Sequence, residues 1–342
     1  MRPKQAKTAK LADVAKLAGV STATVSRYLN QPDQVIADTQ KKVKAAIREL
    51  GYSPNFMAQA LAAKRTHTIG AVIPTMENAI FARALQAFQD ELRRNGITLL
   101  VSSSSYKAEL ENEQIRTLAA RGADGLLLIG AERDPAIYEF LKARNIPCLI
   151  AWVYDPKAHA PTIGFDNKIA MQSMLAKVLE FGHRHIGLIT AKQKGNDRAR
   201  ARVQAIKEGM RKAGLGRDHL QIIETDYGIE QGAKACAELL DQKQRPSVIM
   251  CGNDVLAAGA LNKARELGLK VPKDISITGF DDIELASICV PALTTVHVPH
   301  HEMGKQAAQI LLQMIDHQKL PQSICLPTEV RLRGSLGPSK AQ

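Results

Sequence analysis

Thr22, Ala23, Ser26 and Arg27 fall on one side of a helix if the stretch around them is helical, and as a set they suit one kind of chemistry. Three of the four are small or polar, so the backbone behind them can approach a partner closely. Arg27 adds a planar fork of donors that matches the paired acceptors on guanine in a major groove. The alternative is a solvated helix face with no partner. Other reactive residue types give weaker signals. His183 and His185 in GHRHIG look like a metal or catalytic pair, but in an extended run they point to opposite faces. No carboxylate stands at ligand spacing from them, so they are expected to be loop and surface histidines. The phosphate cradles GxGxxG and GxxxxGK[ST] are both absent. Cys148, Cys236, Cys251, Cys289 and Cys325 are far apart, odd in number and without metal-ligand spacing, which predicts free thiols in a reducing cytoplasm.

The element that must hold Arg27 is a pair of short helices in residues 11–30. Leu11, Val14, Ala15, Leu17 and Ala18 recur at helical spacing and form one apolar face. Gly19 tolerates positive φ and ends that helix in a sharp reversal. Ser21 is placed to cap the second helix, Val20 can meet Val25 as a hydrophobic staple, and Val25, Tyr28 and Leu29 face inward. Gln31-Pro32-Asp33 breaks the pattern, and a third helix runs from about Asp38, a possible cap, to Leu50 with Val43, Ala46, Ile47 and Leu50 inside. Gly51 ends it. Lys41, Lys42 and Lys44 lie off the inner stripe, available to phosphates or to water.

Charge supports a polyanionic partner for this region. Residues 1–68 hold 12 Lys or Arg against Asp13, Asp33, Asp38 and Glu49, so they carry +8 of the formal net charge of +12. A segment this basic suits a phosphate backbone, whose binding draws on counterion release. Residues 1–10 read as a basic, disordered arm without the apolar core of a secretory signal, and no apolar run approaches the length of a membrane span. After Pro54-Asn55 comes NFMAQALAAKRT, whose helical pattern is about ten residues long and needs a packing partner to be stable.

From residue 68 the pattern changes. Short apolar runs at 69–73, 99–101, 125–129, 147–153, 186–189, 247–251 and 275–280 alternate with amphipathic helical stretches at 81–95, 109–121, 167–181, 202–213 and 253–267. Such alternation predicts parallel, doubly wound sheets, and the strand count points to two Rossmann-like lobes rather than one.

With these residues in view, the chain resembles the lactose-repressor (LacI/GalR) family of bacterial transcription regulators along nearly its whole length. The matching text is DVAKLAGVSTATVSRYLN, IRELGYSPN, AQALAAKRTHTIG, RGADGLLLIG, GFDN, GHRHIGLIT, CGNDVLAAGAL, GLKVPKDISITGFDD, PALTTV and PTEVRLRGS, in that order. Lys10 stands where the family usually has Thr, which removes a capping box with Asp13; Gln40 stands where Arg is usual.

The resemblance implies an amino-terminal all-α helix-turn-helix domain with a hinge helix, then an α/β core of two Rossmann-like lobes similar to a periplasmic sugar-binding protein. The implied boundaries are 1–54 for the DNA-binding domain, 55–66 for hinge helix and linker, and 67–342 for the effector and dimerisation domain, with the chain crossing between lobes near 165 and 295. Thr22, Ala23 and Arg27 match base-reading positions, and Ser21, Thr24 and Ser26 match phosphate-holding ones, although Ser21 also serves as a cap. In the hinge, which starts at Asn55, Leu61 matches a wedge into the minor groove; Gln59 replaces an Arg common among relatives. Arg202 matches an effector-gripping Arg, with Ala205 in place of the usual Gly. Asn253 and Asp281 match its polar partners, and Phe81 lies on the first cleft loop. A donor fork with a carboxylate and a carboxamide suits the vicinal hydroxyls of a sugar. Asn253 and Asp281 could instead cap the helices after them, Arg202 could form a surface ion pair, and Trp152 could stack on a sugar or fill core. Arg198 and Arg200 in NDRARAR suggest a sugar acid, but a solvated helix start explains them better.

The expectation is therefore a cytoplasmic, homodimeric, effector-controlled regulator of operator DNA, most simply a repressor, with no catalytic residues, metal or cofactor. The alternative is a soluble sugar-binding protein or a Rossmann-like enzyme without a DNA role.

Overall fold

A computed structural model describes residues 9–53, 65–77, 79–317 and 320–340. It divides into two units, residues 1–66 and 67–342.

Among its described residues the first unit has three α-helices: α1 (Leu11–Ala18), α2 (Thr22–Asn30) and α3 (Ala37–Leu50). Gly19 takes φ +66° and Gly51 φ +57°, the left-handed turns that end α1 and α3. Val20 N–H reaches back to Ala15 O at 3.0 Å, so the reversal is hydrogen-bonded. The core is Val14, Ala15, Ala18, Val25, Val43 and Ala46, with Tyr28, Leu29 and Ile47 packed on it. Leu17, expected on that inner face, is instead 46% exposed. It lies a full turn from Val14 on the solvent edge, where the narrow core of a three-helix unit does not reach. At the start of α1, Asp13 accepts the Lys10 backbone N–H at 2.8 Å. A lysine side chain has no acceptor to return the bond. The amide of Gln40 donates to Pro32 O at 2.9 Å and Val35 O at 2.8 Å and so pins the turn between α2 and α3.

The second unit contains two parallel sheets. The first has strand order β11-β5-β4-β3-β1-β2 and is formed by β1 (Thr68–Ile73), β2 (Thr98–Ser103), β3 (Gly125–Ile129), β4 (Cys148–Ala151), β5 (Thr162–Gly164) and β11 (Ile324–Cys325). The second has order β7-β6-β8-β9 and is formed by β6 (Ile186–Ala191), β7 (Leu220–Thr225), β8 (Val248–Cys251) and β9 (Ser276–Thr278). Helices α4 (Ala82–Arg94), α5 (Ala108–Ala120) and α6 (Pro135–Ala143) connect the first sheet; α7 (Asn167–Glu180), α8 (Asp197–Lys212), α9 (Ile229–Leu240), α10 (Asp254–Glu266) and α11 (Glu284–Ile288) belong to the second. β1, β3, β4, β6 and β8 are buried along their whole length, which is why their sequences read as unbroken apolar runs.

The chain passes between the lobes three times. It leaves the first after β5 and returns past β10 (Thr295–His297) to α12 (His300–His317), which packs on α4, β3 and β4. After β11 it crosses again through β12 (Glu329–Arg331), antiparallel to β10, and its last residues lie along β9. Among the described residues no helix is long and apolar enough to cross a membrane.

Candidate functional site

On the helical unit, Ser21 does cap α2: its hydroxyl accepts the Thr24 N–H at 3.1 Å and lies 2.9 Å from the Thr24 hydroxyl. Both side chains are thus held at the first turn of α2. Thr22, Ala23 and Arg27 are exposed, while Thr24 and Ser26 are half-buried. Among the described residues the Arg27 guanidinium makes no hydrogen bond or ion pair, so its donors are open to a partner. Asn55 and Leu61, with the rest of the hinge expected from residue 55 to 64, lie outside the described residues.

In the second unit the carboxyl ends of both sheets face one interlobe cleft. Its volume is about 580 Å³, and Thr75, Ser105 and Tyr106 line it from one lobe, Asn196 and Tyr227 from the other. The Tyr106 and Tyr227 rings have centroids 5.5 Å apart across it. Both phenols lie within electrostatic reach of Arg198, Arg202 and Asp281.

Of the five residues expected in the cleft, Phe81, Trp152, Asn253 and Asp281 sit just beyond a strand or at a helix start and Arg202 lies in the second turn of α8; all five are buried. Phe81 and Trp152 meet edge to face with centroids 5.0 Å apart. Arg202 is not on the surface: its side chain is 6% exposed, with Nη2 3.9 Å from Asp281 Oδ1. Its Nε donates to Asn167 Oδ1 at 2.9 Å, its Nη1 donates to Gly252 O at 2.6 Å, and its Cζ lies 3.6 Å from the Phe280 ring centroid. Asn253 caps α10 by accepting the Leu256 N–H at 2.9 Å, which leaves its amide nitrogen turned the other way. Asp281, in contrast, caps no helix; its backbone N–H donates to Val296 O at 3.0 Å.

Two residues that the sequence did not single out join this set. Asn167 donates to Trp152 O at 3.0 Å while accepting from Arg202, so one carboxamide ties the aromatic wall to the guanidinium. His300, at the start of α12, donates from Nε2 to Asp281 O at 3.0 Å, and its ring lies 6.2 Å from that of Trp152. Burial pushes its pKa below the ordinary 6.5 against the pull of Asp281, so the ring is neutral. Only the GFDN text pointed near Asn167; His300 had no local signal. A third layer holds the Asp281 loop. Asp254 accepts Thr295 Oγ1 at 2.6 Å and Ile283 N–H at 2.9 Å. A Cβ on Gly279 would sit 2.1 Å from Asp254 Oδ1, so that close approach requires glycine.

Four buried polar atoms of this cluster have no hydrogen-bond partner among the described residues: Trp152 Nε1, Asn253 Nδ2, Asp281 Oδ1 and His300 Nδ1. Unmet donors and acceptors together are what a polar ligand with hydroxyl groups satisfies. Arg198 corrects the expectation of a solvated helix start. It is buried, with Nη1 2.9 Å from Asp197 Oδ1, and only Arg200 behaves as a surface residue, paired with Glu132 at 2.8 Å. His183 also differs from expectation. It is buried, with Nδ1 2.8 Å from Ser247 Oγ and Nε2 3.0 Å from Gly337 O, because the carboxyl-terminal segment covers it.

Comparison with known proteins agrees with this geometry. Residues 10–55 match the bacterial regulatory proteins of the lacI family, and residues 175–336 match the periplasmic binding protein-like domain. The HTH-type transcriptional repressor CytR of Escherichia coli (strain K12) is 34% identical over 334 residues, covering 97% of each chain. This chain belongs to the LacI family. A second LacI-family relative, the HTH-type transcriptional repressor PurR of Proteus mirabilis, is 37% identical over 314 residues, covering 91% of this chain and 92% of that one. The lac repressor dimer bound to operator and the anti-inducer ONPF superposes with a TM-score of 0.85 at 28% identity, covering 97% of this chain and 100% of that one. The CelR–cellobiose complex, also 28% identical, gives 0.69 and covers 96% and 99%. Two Rossmann-like lobes behind a helix-turn-helix unit is thus the architecture of the family.

Proposed function

We propose that this LacI-family chain is a cytoplasmic transcription repressor that binds operator DNA as a homodimer and releases or engages it in response to a neutral, hydroxyl-bearing effector in the interlobe cleft. The observation that carries the reading is the open Arg27 fork on a slim, exposed helix face, on a basic three-helix unit tied in one chain to a two-lobed cleft. Thr22, Ala23 and Arg27 read base edges; Ser21, Thr24 and Ser26 set the helix on the backbone, with Asn55 and Leu61 in the hinge. A dimer places two such helices in successive major grooves about 34 Å apart. The lac repressor's description as a dimer on operator supports that assembly here.

Phe81, Trp152, Arg202, Asn253 and Asp281 hold the effector, joined by Asn167 and His300. The charge count favours a neutral ligand over a sugar acid: Arg198 is matched by Asp197 and Arg202 by Asp281, so no buried cation is left for an anion to neutralise. CelR, described with the neutral sugar cellobiose, is in keeping with that. Trp152 is the chain's only tryptophan and is buried against Phe81 and His300, so its emission reports on this cluster. Neutral hexoses, pentoses, disaccharides and nucleosides are screened beside aldonic and uronic acids. At least one neutral compound is expected to shift Trp152 emission and raise the melting temperature. A response confined to the acids would contradict the neutral assignment.

A further inference from the structure

The helix that carries Arg202 is fastened to the opposite lobe at its first residue. Asp197, in the first turn of α8, accepts the Ala131 N–H of the β3–α6 loop at 2.6 Å, across 66 residues of sequence. The other oxygen of the same carboxylate accepts the Arg198 N–H and Nη1–H, both at 2.9 Å. Burial pushes the Asp197 carboxyl up, but Arg198 and the two N–H groups outweigh it and hold it below the usual range, so it stays charged. The Arg198 guanidinium then lies against Gly130, where a Cβ would come within 1.7 Å of Nη1. Gly130 also takes φ +76°, so the contact needs glycine twice over. One turn further, Arg200 reaches Glu132 at 2.8 Å.

The loop that receives these contacts is rigid from behind. The Arg133 side chain is 1% exposed and donates to Gly130 O at 2.8 Å, to Tyr138 Oη at 2.9 Å and to Glu111 Oε1 at 2.8 Å. Tyr138 in turn donates to Ala131 O at 3.3 Å. Arg133 therefore fixes the carbonyls on either side of the N–H that Asp197 accepts. A further ion pair between the lobes, Arg83 with Glu284 at 2.9 Å, is more exposed than Arg200 with Glu132 and contributes less.

We propose that Asp197, Arg198 and Arg200 with Gly130, Ala131 and Glu132 form an interlobe latch that holds the cleft closed and so sets how readily the protein responds to its effector. The latch and Arg202 sit five residues apart on one rigid helix, so a ligand pulling on Arg202 and the latch pulling on Asp197 move the same body. Loss of the latch shifts the population towards an open cleft and lowers apparent effector affinity by the fraction that remains closed. That regulatory consequence rests on the effector reading above; the latch itself does not.

Spin labels at Lys107→Cys and Lys194→Cys, exposed positions on opposite rims of the cleft, measure its aperture in the full-length chain with Cys289→Ala and Cys325→Ser removing competing thiols. Without any ligand, the otherwise wild-type chain is expected to give one short distance population. Asp197→Ala and, separately, Glu132→Arg, which sets two guanidiniums against each other, should add a longer one. The double swap Glu132→Arg with Arg200→Glu should restore the short distance. Both swap positions are exposed, so folding is not at stake should Asp197→Ala prove unstable. An unchanged distribution in Glu132→Arg, or a double swap no closer than the single, would overturn the latch. Failure of the wild-type chain to bind duplex DNA would undo the functional reading and leave the distance result standing.

Discussion

Arg202 is where side-chain chemistry and architecture meet. Its three nitrogens each face a different element: Asn167 on α7, Gly252 after β8 and Asp281 after β9. A guanidinium spans that set because it is planar and multiply donating; a lysine ammonium offers one point. Arg202→Ala is expected to destabilise the second unit by about 3–5 kcal/mol, since it leaves Asp281 buried without its counter-charge. Denaturant unfolding of the α/β unit would read this, and a cost below roughly 1 kcal/mol would show that the pair, at 3.9 Å, carries little of the cluster's stability. The residues around Arg202 divide by how far the sequence could reveal them. Asn253 and Asp281 sit in short motifs at strand ends and Phe81 on the loop after β1, and the resemblance implied that all three belong to the cleft. Asn167 and His300 act through partners that are distant in sequence; the GFDN text reaches Asn167 without revealing its role, and nothing local marks His300. The same holds for Arg198, whose burial depends on a glycine in the other lobe.

At the scale of elements, strands buried on both faces were legible as apolar runs, and helices with one apolar stripe were legible by period. β7 was not: it is an edge strand, half-buried along its length, and its LQIIET text lacks the continuous run of a central strand. Nor was α12, whose start is crowded with His300 and His301. β10, β11 and β12 are two or three residues long and exist only through their partners. The carboxyl-terminal strap is the largest such feature. Ile277 N–H donates to Ser335 O at 2.9 Å, and Ser339 N–H donates to Phe181 O at 2.8 Å. Between them His183 pins Gly337, as a neutral ring donating from Nε2 and accepting Ser247 at Nδ1. Burial, with the nearby Arg184, lowers the His183 pKa from 6.5. The unfolded chain therefore takes up a proton near pH 6.5 that the folded one does not. Stability from this group is complete above that pH and falls as the pH drops towards the folded pKa, at most about 1.4 kcal/mol per pH unit. Urea unfolding between pH 7.5 and about 5.5 should show the loss. His183→Gln should flatten part of it, leaving the share owed to His300, whose pKa is also lowered. An identical slope in the variant would place the proton uptake elsewhere.

At the scale of the molecule, charge and topology assign separate tasks to the two units. The first holds most of the chain's net positive charge and a slim, exposed helix face over a small apolar core. The second buries two sheets whose strand ends face each other, and its buried Arg198 and Arg202 are matched by Asp197 and Asp281. The division is visible in the sequence because charge is an additive property of the chain. How the lobes close on each other is not, because it depends on single contacts such as Asp197 with Ala131. The central claim is that the α2 face reads DNA sequence. Selection of bound duplexes from a random library by the full-length protein tests it most directly. The account predicts one enriched pseudo-palindrome with half-site centres about 10 base pairs apart. It also predicts that Arg27→Ala relaxes one symmetric pair of positions by about 1–3 kcal/mol. No enriched sequence, or the same sequence enriched equally by Arg27→Ala, would contradict it.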